Sequence, residues 1–233
     1  MKKALIVWGG WEGHQPREIA AVFERQLVEE GFEVLVSDTL EAFSDAEMLK
    51  RLDLIIPIWT MGTIEQKLVD HVSAAVQSGV GLAGCHGGMC DAFRANVDWQ
   101  FMTGGQWVAH PGNDGVEYTV QISDPANPLT AEIEDFTVST EQYYMHIDPA
   151  IEVLATTKFS VADGPHCSNR AVDMPVVWTK RWGDGRVYYN SLGHRANIME
   201  LSPVKELMRR GFLWCAEGKQ STKANEGAKT WTK

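Results

Sequence analysis

The chain has 233 residues, of which 44% are hydrophobic and 22% are charged, and its formal net charge is -10 at pH 7. This length and composition are typical of a globular protein with a sizeable hydrophobic core. The acidic balance argues against a nucleic-acid surface and against binding to anionic membranes, whereas small neutral or cationic ligands, sugars among them, are compatible with it. We therefore expect neither a nucleic-acid partner nor a membrane partner.

The N-terminal apolar run, residues 4–8, stops at Gly9-Gly10 and is too short for the hydrophobic region of a secretory signal. No other apolar run approaches the roughly 20 residues that a membrane-spanning helix needs. The cysteines lack the paired spacing of metal-binding motifs, so free thiols are expected. They are Cys85, Cys90, Cys167 and Cys215. These features predict a cytoplasmic protein.

Strands and helices alternate in the first part of the chain. Strands are predicted at residues 4–8, 32–36 and 53–59 and from Val80 onward; helices are predicted at 16–31, from a Ser44 cap to Leu52, and at 64–78. Apolar runs of this kind are typical of buried parallel strands. The alternation predicts an α/β fold with a doubly wound, mostly parallel sheet flanked by helices.

Strands of mixed polarity dominate beyond Asp91. They are predicted at residues 116–122, 136–139, 151–157, 176–181 and 186–191. The last two are separated by Trp182-Gly183-Asp184-Gly185, which predicts a hairpin and hence additional antiparallel strands. A final helix is expected over 203–216. We interpret 1–217 as one domain without internal repeats and 218–233 as a polar C-terminal tail.

A glycine-rich stretch links the fourth predicted strand to the next helix. It reads Val80-Gly81-Leu82-Ala83-Gly84-Cys85-His86-Gly87-Gly88-Met89. A turn this sharp lifts one side chain above the carboxyl edge of a parallel sheet, where α/β proteins bind ligands. That side chain is Cys85 or His86. In the alternative reading, the glycines serve only tight packing and Cys85 is a buried apolar residue.

Further polar side chains are expected near the same edge. His14 follows the first strand, and Trp11 beside it offers a face that can stack on a sugar ring. A polar and aromatic group follows a later strand, and a third set follows the hairpin. The polar and aromatic group comprises Glu141, Tyr143, Tyr144 and His146. The set after the hairpin comprises His194 and Arg195, and His110 is expected at the rim of the site. Carboxylates, imidazoles and phenols of this kind suit acid–base chemistry and the positioning of hydroxyl groups.

In their order and spacing, several of these segments resemble the ThuA-like (trehalose utilisation) family, which shares the fold of class I glutamine amidotransferases. They are the Gly9-Gly10 and His14 loop, the Gly81 to Gly88 turn, Gly104-Gly105 with His110-Pro111, Glu141-Gln142-Tyr143-Tyr144, and the segments from Pro175 to Trp178 and from Gly185 to His194. The resemblance implies a flavodoxin-like fold and a role in carbohydrate catabolism.

The resemblance also places Cys85 where an amidotransferase has its nucleophile and His194 on the strand that delivers the histidine. However, Ala196 stands where the orienting acid belongs, and Ala83 replaces the first glycine of the G-x-C-x-G pattern. The likeness therefore implies a shared fold rather than glutamine hydrolysis.

The leading hypothesis is an enzyme that acts on a disaccharide or keto-sugar. His86, Glu141, Tyr144 and His194 would carry out acid–base chemistry, and a second set would bind substrate. That set is Trp11, His14, Tyr143, His110, His146 and Arg195. One alternative is a Cys85-dependent hydrolase activated by His194, and another is a non-catalytic sugar-binding or regulatory protein.

No cofactor follows firmly from the residues. Bound NAD is not expected, because no G-x-G-x-x-G fingerprint follows a strand. A divalent ion such as zinc is an alternative, with imidazoles drawn from His14, His86, His146 and His194 beside Glu141. The spacing of these residues is not diagnostic of a metal site. It also stays open whether copies of the chain associate as a homo-oligomer.

Overall fold

The computed structural model describes residues 1–159 and 165–228, with side chains described as far as residue 219. The strands are β1 (Lys3–Gly10), β2 (Glu33–Ser37), β3 (Leu54–Thr60), β4 (Gly81–Cys85), β5 (Gly105–Ala109), β6 (Val116–Ile122), β7 (Phe136–Thr140), β8 (Tyr144–Ile147), β9 (Glu152–Phe159), β10 (Val172–Trp182) and β11 (Gly185–Asn190). The helices are α1 (Pro16–Glu29), α2 (Ala46–Arg51), α3 (Gln66–Gln77), α4 (His86–Cys90), α5 (Val97–Thr103), α6 (Ala196–Met199) and α7 (Ser202–Ala228). Short 3₁₀ helices lie at Glu12–His14, Leu40–Phe43 and Pro165–Ser168.

Nine strands form one sheet in the order β2-β1-β3-β4-β11-β10-β9-β6-β7, and β5 pairs with β8 in a separate two-stranded sheet. The first five strands in this order run parallel to one another. Each later neighbour is antiparallel to the strand before it. This arrangement confirms the predicted α/β fold with a mostly parallel, helix-flanked sheet and additional antiparallel strands.

Side chains of β1 alternate between two apolar cores, because successive residues of a strand point to opposite faces of the sheet. Ala4 and Ile6 pack in one core with residues of α1 and α7, where the rings of Phe23 and Phe212 meet edge to face with centroids 5.0 Å apart. Leu5 and Val7 pack in the other core with residues of α2 and α3. Helices thus cover both faces, as a doubly wound sheet requires.

The predicted hairpin is confirmed. Arg181 pairs with Arg186, and Trp182 pairs with Gly185 across the turn. Gly183 has a φ of 60°, in the left-handed region that favours glycine. A Cβ there would lie 2.8 Å from the backbone of Gln77.

Three features differ from the sequence predictions. Ser44 was expected to cap the helix that ends near Leu52, but Asp45 is the capping residue of α2. The final helix is predicted over 203–216, but α7 runs from Ser202 to Ala228, into the segment that we interpret as a polar tail; residues 229–233 lie outside the described residues. The sheet formed by β5 and β8 was not predicted, since both strands are short and lie in segments rich in turn residues.

The parallel strands β1, β3, β4 and β11 all end at the same edge of the large sheet. The segments that follow β1, β4 and β11 contain His14, His86 and His194, and β3 ends at Thr60. The topology therefore brings together side chains that are far apart in the sequence. No helix among the described residues is long and apolar enough to cross a membrane.

Candidate functional site

Four buried side chains from four separate segments converge at the carboxyl edge of the sheet. His14 ends the 3₁₀ helix after β1, His86 begins α4 directly after β4, Glu141 follows β7, and His194 follows β11. One ligand atom of each lies within 4.8 Å of those of the other three. We call these four residues the histidine–glutamate centre.

The side chain presented by the glycine-rich turn is that of His86. Its φ is 47°, in the left-handed region, whereas Cys85 has an extended φ of -138° and ends the strand. A left-handed conformation is uncommon for a residue other than glycine and is found at sharp, functional turns. Gly87 is needed there, since a Cβ would lie 2.7 Å from Nδ1 of His14. The structure thus resolves the choice between Cys85 and His86 at the turn.

Cys85 occupies a different environment. Its side chain is 1% exposed and belongs to the same apolar core cluster as Tyr188 and Leu192. Burial raises the pKa of the Cys85 thiol to about 12. The thiol is therefore protonated at neutral pH, and the environment lacks the electropositive, accessible character of a reactive cysteine.

The carboxylate of Glu141 is the hub of the centre. Its Oε2 lies 3.1 Å from His86 Nε2, 3.3 Å from His194 Nδ1 and 3.7 Å from His14 Nε2. The residue is 5% exposed. The hydroxyl of Tyr118 donates a hydrogen bond of 2.9 Å to the backbone carbonyl of Glu141 and so fixes the segment that carries it. One carboxylate oxygen thus faces three imidazoles.

The other ring nitrogen of each imidazole is held from outside the centre. His86 Nδ1 lies 2.8 Å from the backbone carbonyl of Ser191, and His14 Nδ1 lies 2.8 Å from Oγ1 of Thr60. His194 Nε2 lies 3.5 Å from Oδ2 of Asp114. Since a carbonyl only accepts, Nδ1 of His86 carries the hydrogen and donates it. These contacts orient the rings so that the remaining nitrogens point at Glu141.

The centre shifts the protonation equilibria of its members. Burial alone would raise the pKa of Glu141, but the adjacent imidazoles of His14, His194 and His86 outweigh burial and hold that pKa well below its usual range. Burial lowers the pKa of His86 to about 4, although Glu141 acts in the opposite direction. At neutral pH, Glu141 is therefore ionised and His86 is neutral.

Four further candidate residues surround the centre. The ring of Tyr143 stacks on that of His86 with centroids 3.9 Å apart, and burial raises the pKa of this phenol well above its usual value. His110 lies at the mouth, with a side chain 30% exposed and Nε2 3.9 Å from Glu141 Oε1. Trp11 is 46% exposed, and its ring lies 4.7 Å from that of His14. Arg195 is exposed and pairs with Asp114, Nε to Oδ2, at 3.0 Å.

Two sequence candidates lie outside the centre. The hydroxyl of Tyr144 lies 3.0 Å from Nε2 of His166, and His146 is exposed on β8. Both line a neighbouring cleft with a volume of about 580 Å³. The residues lining it are Val108, Ala109, Pro111, Tyr144, Met145, His146, Ile147 and His166. Tyr143 precedes β8 and stacks on His86 in the centre, whereas Tyr144, the first residue of β8, lines the cleft.

Sequence reasoning missed the residues that support the imidazoles, namely Thr60, Asp114 and the carbonyl of Ser191. Thr60 ends β3 at the same edge as His14, so the strand-end rule used for His14 could have identified it. Asp114 lies in the glycine-rich segment before β6, whose path the sequence pattern does not predict.

Taken together, the fold and the site define a doubly wound α/β protein with a buried histidine–carboxylate centre at the carboxyl edge of its sheet. A model of the ThuA family, described as trehalose utilisation, matches residues 3–215. The chain belongs to the ThuA family, and this membership indicates a role in carbohydrate metabolism. No functionally curated protein matches the chain.

Solved structures share the fold. A ThuA-like protein from Bacteroides uniformis has a TM-score of 0.73 and 19% identity, over 92% of this chain and 91% of that one. A ThuA-like protein from Parabacteroides merdae has a TM-score of 0.72 and 17% identity, over 94% and 91% of the two chains. A β-galactosidase from Bacillus circulans sp. alkalophilus has a TM-score of 0.57 and 12% identity, over 94% of this chain and 31% of that one. At these identities the likeness extends to the fold alone.

Proposed function

We propose that the chain is an enzyme of carbohydrate catabolism that acts on a disaccharide or keto-sugar at the histidine–glutamate centre. The observation that carries this proposal is the buried, ionised carboxylate of Glu141 against three imidazoles, in a chain of the trehalose utilisation family. Burying four such polar groups costs free energy that a purely structural role does not require. Perturbed titratable groups clustered at a ligand-binding edge are typical of active sites.

The chemistry that suits this arrangement is proton transfer to and from a sugar hydroxyl or the carbon beside a carbonyl. The Oε1 atom of Glu141 faces His110 at the mouth, which is the more accessible side of the carboxylate. A carboxylate and an imidazole facing one another can remove a proton at one atom and return it at another. The phenol of Tyr143 stays neutral and stacks on His86, so it keeps that ring in place.

Substrate binding would use the surfaces beside the centre. The exposed face of Trp11 can stack on a sugar ring. Ala109 and Pro111 flank His110 and line the neighbouring cleft, whose volume of about 580 Å³ is in the range of small-molecule sites. Tyr144 and His146 in this cleft would contact a second ring of a disaccharide. The proposed partner is a small sugar, and a cytoplasmic location and homo-oligomer formation stay predictions.

The test is turnover of disaccharides and their keto derivatives, followed by NMR and mass spectrometry of the products. We expect His110→Gln and Glu141→Gln each to lower kcat by a factor of about 100 or more, as loss of a general acid–base group does. The matched control is His71→Gln on α3, where the ring contacts the carbonyl of Phe43 and is not part of the centre. Its turnover should be that of the wild type.

Two outcomes would overturn the proposal. Saturable sugar binding without any product would favour a non-catalytic binding protein. Loss of turnover in Cys85→Ala, with full activity in Glu141→Gln, would favour a cysteine hydrolase, a reading that the burial of Cys85 disfavours.

A further inference from the structure

We infer that the histidine–glutamate centre binds one divalent transition-metal ion, with zinc as the first candidate. The ligands would be His14 Nε2, His86 Nε2, His194 Nδ1 and Glu141 Oε2. This inference deepens the proposed function and rests on it for the use to which the ion is put. Metal binding itself can be measured without any sugar.

The lone pair of the inner ring nitrogen of His86 points at Glu141. Nδ1 of His86 donates its hydrogen to the Ser191 carbonyl, so in the neutral ring the lone pair of Nε2 points at Glu141 Oε2, 3.1 Å away. Nε2 of His194 faces the Asp114 carboxylate, and its Nδ1 is buried without a hydrogen-bond partner at 3.3 Å from the same oxygen. Acceptors that face one another at such distances repel unless a positive group lies between them.

A divalent ion in that position satisfies more groups than a proton does. A proton shared between His86 Nε2 and Glu141 Oε2 would satisfy one contact and leave the inner nitrogens of His14 and His194 without a partner. One divalent ion would satisfy all four groups. Burying an unsatisfied polar atom costs free energy, so the arrangement as a whole favours the ion.

The distances from Glu141 Oε2 to the three inner nitrogens fit a metal site. Bonds of 2.0–2.1 Å to a tetrahedral ion separate its ligand atoms by roughly 3.4 Å. The distances from Glu141 Oε2 to the three inner nitrogens are 3.1, 3.3 and 3.7 Å, which bracket this value. The three distances to Glu141 Oε2 are therefore those expected for neighbouring ligands of one ion, and all four ligand atoms lie within 4.8 Å of one another.

The outer ring nitrogens of the three histidines have partners of the kind found at metal sites. Imidazoles that bind a metal usually donate their second N–H to a carbonyl, a carboxylate or a similar acceptor, which fixes the ring and its tautomer. Ser191, Thr60 and Asp114 supply a carbonyl, a hydroxyl and a carboxylate to the three histidines. Imidazole and carboxylate ligands suit zinc and its first-row neighbours rather than calcium or magnesium, which prefer oxygen ligands alone.

The ligand set differs from the one that the sequence suggested. His146 was included among the imidazoles, but it is exposed on β8 and is not among the residues that converge. Glu141 would bind through Oε2, so its Oε1, together with His110, would stay available for proton transfer beside the ion.

The experiment uses the full chain, purified without a polyhistidine tag and stripped with a chelator. Zinc is then titrated calorimetrically, and retained metal is measured by mass spectrometry before stripping. We expect one equivalent per chain, and we expect Co²⁺ to give the visible absorption of a site with nitrogen and oxygen ligands. His86→Ala and His194→Ala should weaken zinc binding more than 100-fold, and Thr60→Val should weaken it about 10–100-fold, as loss of an outer partner does.

The matched control is His146→Ala, which should leave zinc affinity unchanged. Circular dichroism confirms that each variant is folded; if an alanine variant does not fold, Glu141→Gln and Asp114→Asn replace it, since both keep the side-chain shape. The inference is overturned if the wild-type protein binds zinc no more tightly than the His86→Ala variant does. An affinity that falls in His146→Ala and not in the ligand variants also overturns it.

The outcomes also separate this inference from the proposed function. Full sugar turnover by metal-stripped protein would overturn the metal site as part of the enzyme and leave the proposed function standing. One equivalent of zinc that depends on the four ligands, without turnover of any sugar, would support the metal site and overturn the proposed function.

Discussion

Adjacent residues of the glycine-rich turn have opposite environments. Cys85 ends β4 and points into the apolar core, whereas His86 turns through a left-handed conformation and enters the polar centre. A left-handed residue directly after a strand redirects the chain, so the two side chains cannot share one side of it. The polar centre is therefore lined by imidazoles and a carboxylate, and the Cys85 thiol lies in the apolar core.

Thiol reactivity provides the first prediction at this scale. Cys167 is exposed, whereas Cys85, Cys90 and Cys215 are buried. Native protein treated with iodoacetamide should therefore be alkylated at Cys167 within minutes, while the other three react only after unfolding. Mass spectrometry of peptides over a time course measures the four rates, with denatured protein as the control. Alkylation of Cys85 as fast as that of Cys167 would contradict the structure and revive the cysteine-hydrolase alternative.

Gly193, which precedes His194, provides the second prediction at the scale of residues. Its φ is 121°, and a Cβ there would lie 2.9 Å from Met199 Cε, 3.2 Å from Cys85 Sγ and 3.5 Å from His86 Cβ. Gly193→Ala should lower the free energy of unfolding by about 2–3 kcal/mol, through backbone strain and overpacking. It should also displace His86 and His194 and so weaken zinc binding.

The matched control for this variant is Gly31→Ala. Gly31 has a φ of 79°, but a Cβ there would meet no heavy atom within 4 Å. Gly31→Ala should lower the free energy of unfolding through backbone strain alone, by about 1 kcal/mol, without any effect on the site. Equal losses of stability in both variants, measured by denaturant unfolding, would show that crowding around Gly193 is unimportant.

At the scale of elements, the short helix α2 shows how one cap decides where a helix begins. The side chain of Asp45 accepts a hydrogen bond of 2.9 Å from the backbone N–H of Met48, and Leu49 is buried against the second core. Ser44, by contrast, ends the 3₁₀ helix Leu40–Phe43 that precedes it. Both residue types favour N-caps, so the sequence alone does not choose between adjacent candidates.

Two substitutions test this assignment. Asp45→Ala should lower the free energy of unfolding by about 1 kcal/mol, because an N–H of the first turn loses its partner. Ser44→Ala, the control, should change it by less than about 0.5 kcal/mol. Urea unfolding of both variants measures the difference. A larger loss of stability in Ser44→Ala than in Asp45→Ala would show that Ser44 is the capping residue, as the sequence suggested.

At the scale of the whole molecule, α7 ties distant segments together. Glu206 pairs with Arg209 and Arg210, whose guanidinium groups also contact Glu30 at the end of α1 and the carbonyl of Ala131. The hydrogen bond from Arg209 is the largest influence on Glu206 and lowers its pKa from 4.5 to about 2, although burial acts in the opposite direction. Networks of this kind stabilise more than isolated surface pairs.

The pH dependence of stability tests the role of Glu206. A depressed pKa means that the carboxylate stabilises the fold fully above its unfolded pKa of about 4.5, and that this stabilisation is lost as the pH falls toward about 2. Glu206→Gln should therefore cost about 1 kcal/mol at pH 7, after allowance for solvent screening. The difference in the free energy of unfolding between Glu206→Gln and the wild type should narrow as the pH falls below about 4.5.

The control is Glu47→Gln. Glu47 pairs only with Lys50 among the described salt bridges, and its side chain is 74% exposed. Its loss should change stability by a few tenths of a kcal/mol at most at any pH. Thermal unfolding between pH 3 and pH 7 measures both variants. If the difference in stability between Glu206→Gln and the wild type stays constant with pH, the charge of Glu206 does not contribute to stability.

The sequence by itself determined the fold. Apolar runs alternating with amphipathic helices predict the doubly wound sheet, the Trp182 to Gly185 turn predicts the hairpin, and the ends of parallel strands predict where polar side chains meet. These signals are local, since each depends on residues close together in the chain. His14, His86 and His194 follow parallel strands and could be named as candidates for that reason, whereas Glu141 follows the antiparallel strand β7 and could be named from its polar and aromatic neighbours.

Only the tertiary structure decided which candidates form the centre. Whether His86 or Cys85 leaves the turn depends on one φ angle. Tyr143 and Tyr144 are adjacent in sequence, but the first stacks on His86 and the second contacts His166. The outer partners Thr60, Ser191 and Asp114 come from segments distant in sequence. A metal site is defined by distances among such segments, and a chain without a fixed spacing motif sets those distances only when its sheet and loops are packed.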